Sequence, residues 1–269
     1  QRTVLSADAF NALPHPENTI GNAPSQVYWI PNSRKLAFST RITFEGPGMA
    51  NGDGLYILDT ENGNLEKLLT VADTWAWSFS FSPDGEKIAI SKPESLDIYH
   101  ADGSLYSKSL ISFNFVNTAS EYAWTPDPVW SPDSSSIGVA IPPQDPWTQE
   151  PADSTLAVLA IDGSSKQTYC SKMTFFPGGF AAFSPDLNHV AAITRQPTAP
   201  DNVFGLELMT LDPTQTTEYT TGKIYSTPLW SPDGSKFLYH DLNSGLYIGE
   251  PGVAPLAMPD IGEVTGMAW

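Results

Sequence analysis

Four aspartates in this chain occur in the same short phrase, an aromatic residue followed by Ser-Pro-Asp. Regularly spaced carboxylates of this kind can build a metal site or an acid–base pair. They are Asp84, Asp133, Asp186 and Asp233. Because the phrase recurs about every 50 residues, each unit of a repeat array would carry its own copy. A residue present in every repeat unit has a structural role in that unit, and Pro-Asp is a preferred turn sequence. We therefore interpret these aspartates as turn residues and not as a metal or catalytic cluster.

The histidines and the single cysteine point to no catalytic or metal centre either. The histidines occupy unrelated positions in the repeat, so they are not expected to share a metal. They are His15, His100, His189 and His240. Cys170, the one cysteine, allows neither an internal disulfide nor a thiolate cluster. The chain lacks the Gly-x-Ser-x-Gly, His-Glu-x-x-His and Gly-x-Gly-x-x-Gly motifs. We expect no catalytic residue, no metal and no cofactor, with a structural cation such as calcium left open.

Residues 51–54, Asn-Gly-Asp-Gly, are the one short acidic segment that could be taken for a cation loop. The segment lacks the alternating oxygen ligands and the terminal Glu of a helical calcium loop. The sequence favours a hairpin tip there.

Aromatic residues near strand connections are the best candidates for binding contacts. Trp147 stands in a Pro-rich polar segment, residues 142–154, where core packing does not explain a tryptophan. That segment lengthens the connection between a second and a third strand, as do residues 43–54 and 196–202. In a closed repeat array such connections would rim one mouth of the central channel. The further candidates at this mouth are Trp75, Trp77, Tyr122, Trp124 and Asp145. Packing between sheets is the alternative role for Trp77 and Trp124.

The charge of the chain excludes some partners. Thirty acidic residues against thirteen basic ones give a net charge of −17. Such a field repels phosphate backbones and anionic membrane surfaces, so nucleic acid is not an expected partner. No run of about eighteen apolar residues is present, so no membrane insertion is expected. A protein, a peptide and a glycan remain as partner classes.

The units of the repeat read as four short strands each. In the second unit an aromatic strand that ends at Phe81 is followed by a Ser-Pro-Asp-Gly turn and by an apolar strand at residues 87–91. A third strand at residues 96–100, a hairpin turn and a more polar fourth strand complete the unit. Four strands per unit without helical periodicity predict an all-β fold, a single β-propeller of four-stranded blades. Six blades are favoured, with the last one incomplete in this chain, and five are the alternative.

Two segments follow from this division. Residues 25–269 are expected to form the propeller, and residues 1–24 an N-terminal segment. Within it, residues 3–5 (Thr-Val-Leu) are the candidate for an outer strand that closes the last blade.

The aromatic-Ser-Pro-Asp-Gly phrase resembles the WD40-like propeller repeat of the TolB family, which also occurs in the propeller domains of prolyl oligopeptidase-like peptidases. The resemblance runs from Trp29 to Trp269. Two departures from the pattern are notable: the first copy has Asn32-Ser33 in place of Asp-Gly, and the fourth has Leu187 in place of Gly. The resemblance implies a periplasmic, cell-surface or extracellular protein with a protein partner.

The leading functional hypothesis is a non-enzymatic repeat protein that binds a protein or peptide at one mouth of the channel. Propellers carry many unrelated functions, so two alternatives stay open. One is the propeller domain of a larger enzyme, and the other is a lyase or hydrolase with its site in the channel.

Overall fold

The computed structural model describes most of the chain. The described residues are 3–15, 19–43, 49–71, 76–116, 124–143, 152–173, 181–195, 204–212, 214–224 and 227–258. They form one short helix and five four-stranded antiparallel sheets. The chain divides into two compact units, the first made of residues 1–127 and 161–163 and the second of residues 128–160 and 164–269.

Unit 1 contains the helix α1 (Ala7–Asn11) and two sheets. The first sheet runs β1 (Gly21–Trp29), β2 (Lys35–Thr43), β3 (Met49–Asp59) and β4 (Leu65–Thr70). The second runs β5 (Ser78–Phe81), β6 (Lys87–Ser91), β7 (Ser95–His100) and β8 (Leu105–Ser112).

Unit 2 contains three sheets of the same kind. The first runs β9 (Val129–Trp130), β10 (Ser136–Ile141), β11 (Ala152–Ala160) and β12 (Lys166–Met173). The second runs β13 (Ala181–Phe183), β14 (His189–Arg195), β15 (Phe204–Leu211) and β16 (Thr214–Gly222). The third runs β17 (Leu229–Trp230), β18 (Phe237–Asp241), β19 (Gly245–Glu250) and β20 (Val253–Ala257).

The predicted order of four strands per repeat is confirmed in all five sheets. Residues 264–269, which carry the sixth aromatic position, lie outside the described residues, so the number of blades stays a prediction.

The Ser-Pro-Asp turns have one hydrogen-bond pattern in all four copies. In the first full copy the Ser82 hydroxyl donates to Asp84, whose Oδ1 accepts the amide N–H of Glu86 at 2.9 Å. The Ser82 Oγ also accepts the amide N–H of Lys87 at 2.9 Å. The same three bonds recur around Asp133, Asp186 and Asp233.

These bonds stabilise the ionised carboxylates. In the last copy, hydrogen bonds from Ser231 and Ser235 lower the pKa of Asp233 to about 2. The interpretation of the repeated aspartates as turn residues therefore agrees with their contacts, because each carboxylate caps its own hairpin.

Departures from the glycine of the repeat have visible structural consequences, and in the third copy Ser134 takes the glycine position with φ of 61°. In the first copy the residue with positive φ is Asn32, at 57°, whereas the full copies have it one position later, as at Gly85. In the fourth copy Leu187 adopts φ of 58°, which costs a branched residue more than glycine. Its side chain is buried over Gly138 of the neighbouring sheet, where an added Cβ would lie 2.9 Å from Leu187 Cδ2. Packing against Gly138 offsets the backbone strain.

Each unit has its own apolar core between sheets. In unit 1 the core cluster lies between the first and second sheets and consists of Ala37, Leu55, Ile57, Val71, Trp77, Phe79, Ile88 and Ile90. In unit 2 the Trp230 indole N–H donates to the carbonyl oxygen of Ala182 in the preceding sheet at 2.9 Å. Trp230 thus joins two adjacent sheets of unit 2 as well as filling their core.

The expected strand at residues 3–5 is wrong. These residues form bends that lead into α1, whose N-cap Ser6 accepts the amide N–H of Ala9 at 3.1 Å. A serine N-cap followed by Asp8 in the first turn favours a helix start, and this local signal outweighs the short apolar run. The helix and its flanks pack on the first sheet, through Val4, Leu5, Phe10 and Leu13 against Phe38, Tyr56 and Leu58.

The hairpin tip expected at residues 51–54 is also wrong, because the segment lies inside β3. Asn51 pairs with Arg41 of β2, and Gly54 with Thr70 of β4. Glycine is required at these positions of the strand because neighbouring side chains occupy the space that a larger residue would need. A Cβ on residue 52 would lie 2.0 Å from the Thr40 hydroxyl oxygen.

Candidate functional site

Most of the sequence-predicted binding residues lie outside the described part of the chain. These residues are Trp75, Tyr122, Asp145 and Trp147. Of the three connections expected to rim the mouth, residues 44–48, 144–151 and 196–203 are likewise outside it. The binding role of these residues stays a prediction.

Trp77 is described, and it belongs to the core of unit 1. It is 2% exposed and immediately precedes β5. Its indole N–H donates to the Gly52 carbonyl oxygen at 2.9 Å, and the Asn51 amide donates to the Trp77 carbonyl oxygen. These contacts assign the indole to packing between the first and second sheets.

Trp124 is half-buried at the entry to β9. Its ring packs edge-on against Phe113, with ring centroids 6.3 Å apart, and its amide N–H donates to the Val116 carbonyl oxygen at 2.8 Å. The chain leaving β8 and the chain approaching β9 are held together by these contacts. They place the backbone that carries Asp127, three residues further on.

A pair of polar groups in unit 1 was missed by sequence reasoning: the phenol of Tyr28 on β1 and the carboxyl of Asp127. The Tyr28 ring contacts Phe79 edge-on, with centroids 5.4 Å apart and planes at 83°, and the residue is 48% exposed. Asp127 is solvent-accessible.

The electrostatics of this pair are unusual for an exposed carboxylate. Desolvation by the surrounding protein raises the pKa of Asp127 above its ordinary value. Burial, and then the charge of Asp127, raise the pKa of the Tyr28 phenol. Among the ion pairs of the described residues none includes Asp127.

The repeat contains a signal for Asp127. Asp127 stands three residues before the repeated Trp130, and the corresponding residues of the first two repeats are Gln26 and Ser78. Of these three described positions on or next to the inner strands, only the third holds a charge. A search for charges that break the repeat, rather than for loops that lengthen it, would have found this residue.

Two further findings concern metals and membranes. Within the described ranges, no three or more His, Cys, Asp or Glu side chains are grouped so that they could hold a metal ion. The described helix is too short to cross a bilayer.

Comparison with solved structures identifies the architecture. The β-propeller domain of the trilobed protease from Pyrococcus furiosus aligns with 89% of this chain, at a TM-score of 0.59 and 13% identity, over 72% of its own length. TolB from Acinetobacter baumannii aligns with 85% of this chain, at a TM-score of 0.53 and 17% identity. The fold is a β-propeller.

A further solved structure resembles the chain to a similar degree. One partner of a nidogen/laminin complex aligns with 85% of the chain, at a TM-score of 0.54 and 11% identity, over 76% of that partner. The chain spans about half the length of the Acinetobacter TolB, 52%. No protein-family profile and no curated protein sequence matches this propeller. The likeness to TolB supports the TolB-like fold predicted from the repeat.

Proposed function

We propose that this protein is a non-enzymatic binding propeller of the bacterial cell envelope or exterior, which holds a protein or peptide partner at one mouth of its channel. The observation that carries the proposal is the commitment of the repeated carboxylates to hairpin turns. The chain's most regular acidic residues thereby serve the scaffold, and the positions that break the repeat are left for ligand contacts.

The likeness to two kinds of propeller supports a protein partner. One is TolB, and the other comes from a complex between nidogen and laminin. The net charge of −17 favours a basic partner, whose approach it would accelerate at low salt. An exported location, periplasmic, cell-surface or extracellular, belongs to the same proposal and rests on the likeness to TolB.

The test begins with a partner identified by cross-linking and mass spectrometry in cell-envelope extract and then purified. Its affinity is measured for the parent protein, for Trp147→Ala and for Tyr106→Ala. An aromatic anchor commonly contributes about 2 kcal/mol, so Trp147→Ala should weaken binding about 30-fold. Tyr106 is the matched control, an exposed aromatic on the outer strand β8, and its removal should change the affinity less than about twofold. Equal affinities for all three proteins would refute the mouth as the binding site.

A second candidate function is the propeller domain of a larger enzyme. The likeness to the propeller of the trilobed protease favours it. Immunoblotting of the native source discriminates the two functions, because a larger enzyme predicts a species well above 29.2 kDa. A native species of about that mass would exclude this alternative.

A further inference from the structure

The outer edges of the five described sheets differ in how well they are protected against pairing with another strand. Exposed edge strands commonly carry lysine, proline or a bulge, because these features hinder the addition of a further strand. Among the outer strands, β4, β8 and β12 contain lysine, and β20 contains Pro255. The outer strand β16 contains no lysine, arginine or proline, and at nine residues it is the longest of the five.

The first part of β16 is both exposed and regular. Residues 214–218 are exposed and pair residue for residue with β15. The register shifts only at Tyr219, whose ring contacts Phe237 in the core and whose hydroxyl accepts the Glu250 amide N–H at 3.1 Å. Among the described strands, β16 is hydrogen-bonded to β15 alone. Alternate backbone N–H and C=O groups of residues 214–218 therefore point away from the sheet, where a further strand could bind them.

The charges across this sheet indicate which kind of strand fits the edge. Glu207 and Glu218 are directly opposite partners on β15 and β16, so their side chains lie on one face of the sheet. From β14, the Thr194 hydroxyl donates to Glu207 Oε1 at 3.3 Å. Burial raises the pKa of Glu207, and the charge of Glu218 adds to this rise, whereas the hydrogen bond from Thr194 opposes it. Two carboxylates thus follow one another toward the edge, and the next place in the row belongs to a residue of the added strand.

Charge also distinguishes a second copy of this chain from a different partner. Glu218 is the middle residue of β16, so two β16 strands paired antiparallel about their centres would place one Glu218 opposite the other. Like charges directly opposite one another are destabilising, and each copy carries a net charge of −17. A lysine or arginine at the same place would instead have one carboxylate opposite it and a second behind. The charges favour a basic strand of another protein.

We propose that the β16 edge binds an extended segment of a partner protein as a fifth strand of this sheet, with a lysine or arginine of that segment opposite Glu218. Backbone hydrogen bonds to residues 214–218 supply the affinity, and the acidic pair supplies the preference for a basic residue. The proposal uses none of the residues of the proposed mouth contact and does not depend on that contact.

The probes are three nine-residue peptides of alternating threonine and valine, with lysine, glutamine or glutamate at the central position. Binding to the isotope-labelled parent protein is followed by NMR, together with amide hydrogen exchange. The lysine peptide should bind saturably and slow the exchange of alternate amides within residues 214–218. The glutamate peptide should bind about tenfold more weakly, with the glutamine peptide between the two. Equal affinities of the lysine and glutamate peptides, or protection confined to other residues, would overturn the proposal.

Variants of Glu218 test the charge assignment. Glu218→Lys should reverse the preference, so that the glutamate peptide binds more tightly than the lysine peptide. Glu218→Gln should reduce the difference between these two peptides to about threefold or less. Glu66→Gln is the matched control, because it removes one exposed carboxylate from the outer strand β4 and should leave the preference unchanged. A folded Glu218→Lys variant that still prefers the lysine peptide would refute the assignment.

Sedimentation velocity of the parent protein tests the other occupant of the edge, a second copy of the chain. A monomer of 29.2 kDa is expected, because the Glu218 carboxylates and the net charge oppose pairing of two β16 strands. A dimer whose residues 214–218 are protected from hydrogen exchange would assign the edge to self-association and overturn the proposal.

Discussion

The buried ion pair between Lys92 and Asp97 at the β6–β7 connection allows a test of how much each partner contributes to the stability of the fold. Asp97 is 2% exposed, whereas the Lys92 side chain is 27% exposed. Asp97 also accepts the amide N–H of Ser109 at 2.7 Å, at a position where Ser109 has φ of 50°. The two partners therefore differ in how easily each returns to water when the other is removed.

Lys92→Met would leave a buried carboxylate without its cation, at a cost of about 3–5 kcal/mol in the free energy of unfolding. Asp97→Asn would leave an ammonium that can reach water, and the asparagine oxygen can still accept the Ser109 amide. That substitution should cost about 1–3 kcal/mol. The double variant Lys92→Met/Asp97→Asn should be more stable than Lys92→Met alone, because it removes the unpaired charge.

The assay is urea unfolding at neutral pH, with the slope of the transition compared as well as its midpoint. Lys67→Met is the matched control, because the ion pair of Lys67 with Asp53 is more exposed. The exposed fraction is 31% for the Lys67 side chain and 53% for the Asp53 side chain. This substitution should cost less than about 1 kcal/mol. The reasoning is refuted if Asp97→Asn lowers the free energy of unfolding more than Lys92→Met does. It is also refuted if the change in the double variant equals the sum of the two single changes.

The remaining predictions concern the repeated turn and Asp127. Asp84→Ala removes a turn cap and should cost about 0.5–2 kcal/mol in urea unfolding, with partner affinity unchanged; a folded variant that loses binding would contradict the structural role. For Asp127 the pKa in the folded state is raised, so the folded protein binds this proton more readily than the unfolded chain does. The stability that this proton contributes is present at low pH and is lost as the pH rises through the folded-state pKa. Asp127→Asn should therefore raise the melting temperature at pH 7 and lose that advantage as the pH falls below the ordinary aspartate pKa. A variant that melts lower than the parent at pH 7 would contradict this sign.

The repeat could be predicted from the sequence because its signals are local. Each Ser-Pro-Asp turn is held by hydrogen bonds that span at most five residues, as from Lys87 to Ser82. Proline and aspartate specify that geometry wherever they stand in the chain. Local signals also mislead: a short apolar run at residues 3–5 predicts a strand, and the glycines at residues 51–54 predict a hairpin tip, and the structure has neither. In both places contacts with residues distant in the chain or a competing helix cap decided the structure.

The sequence by itself determined the four-stranded unit, the turn chemistry and the acidic character of the surface, because these depend on residue type and short spacing. Only the tertiary structure decided which side chains are buried and which meet. Trp77 is in the core, although its sequence position also made it a candidate for the channel mouth. Asp97 is a buried ion and Asp84 is a turn cap, although both are aspartates near strands. Desolvation and charge pairing depend on all surrounding atoms, and no short stretch of sequence contains that information.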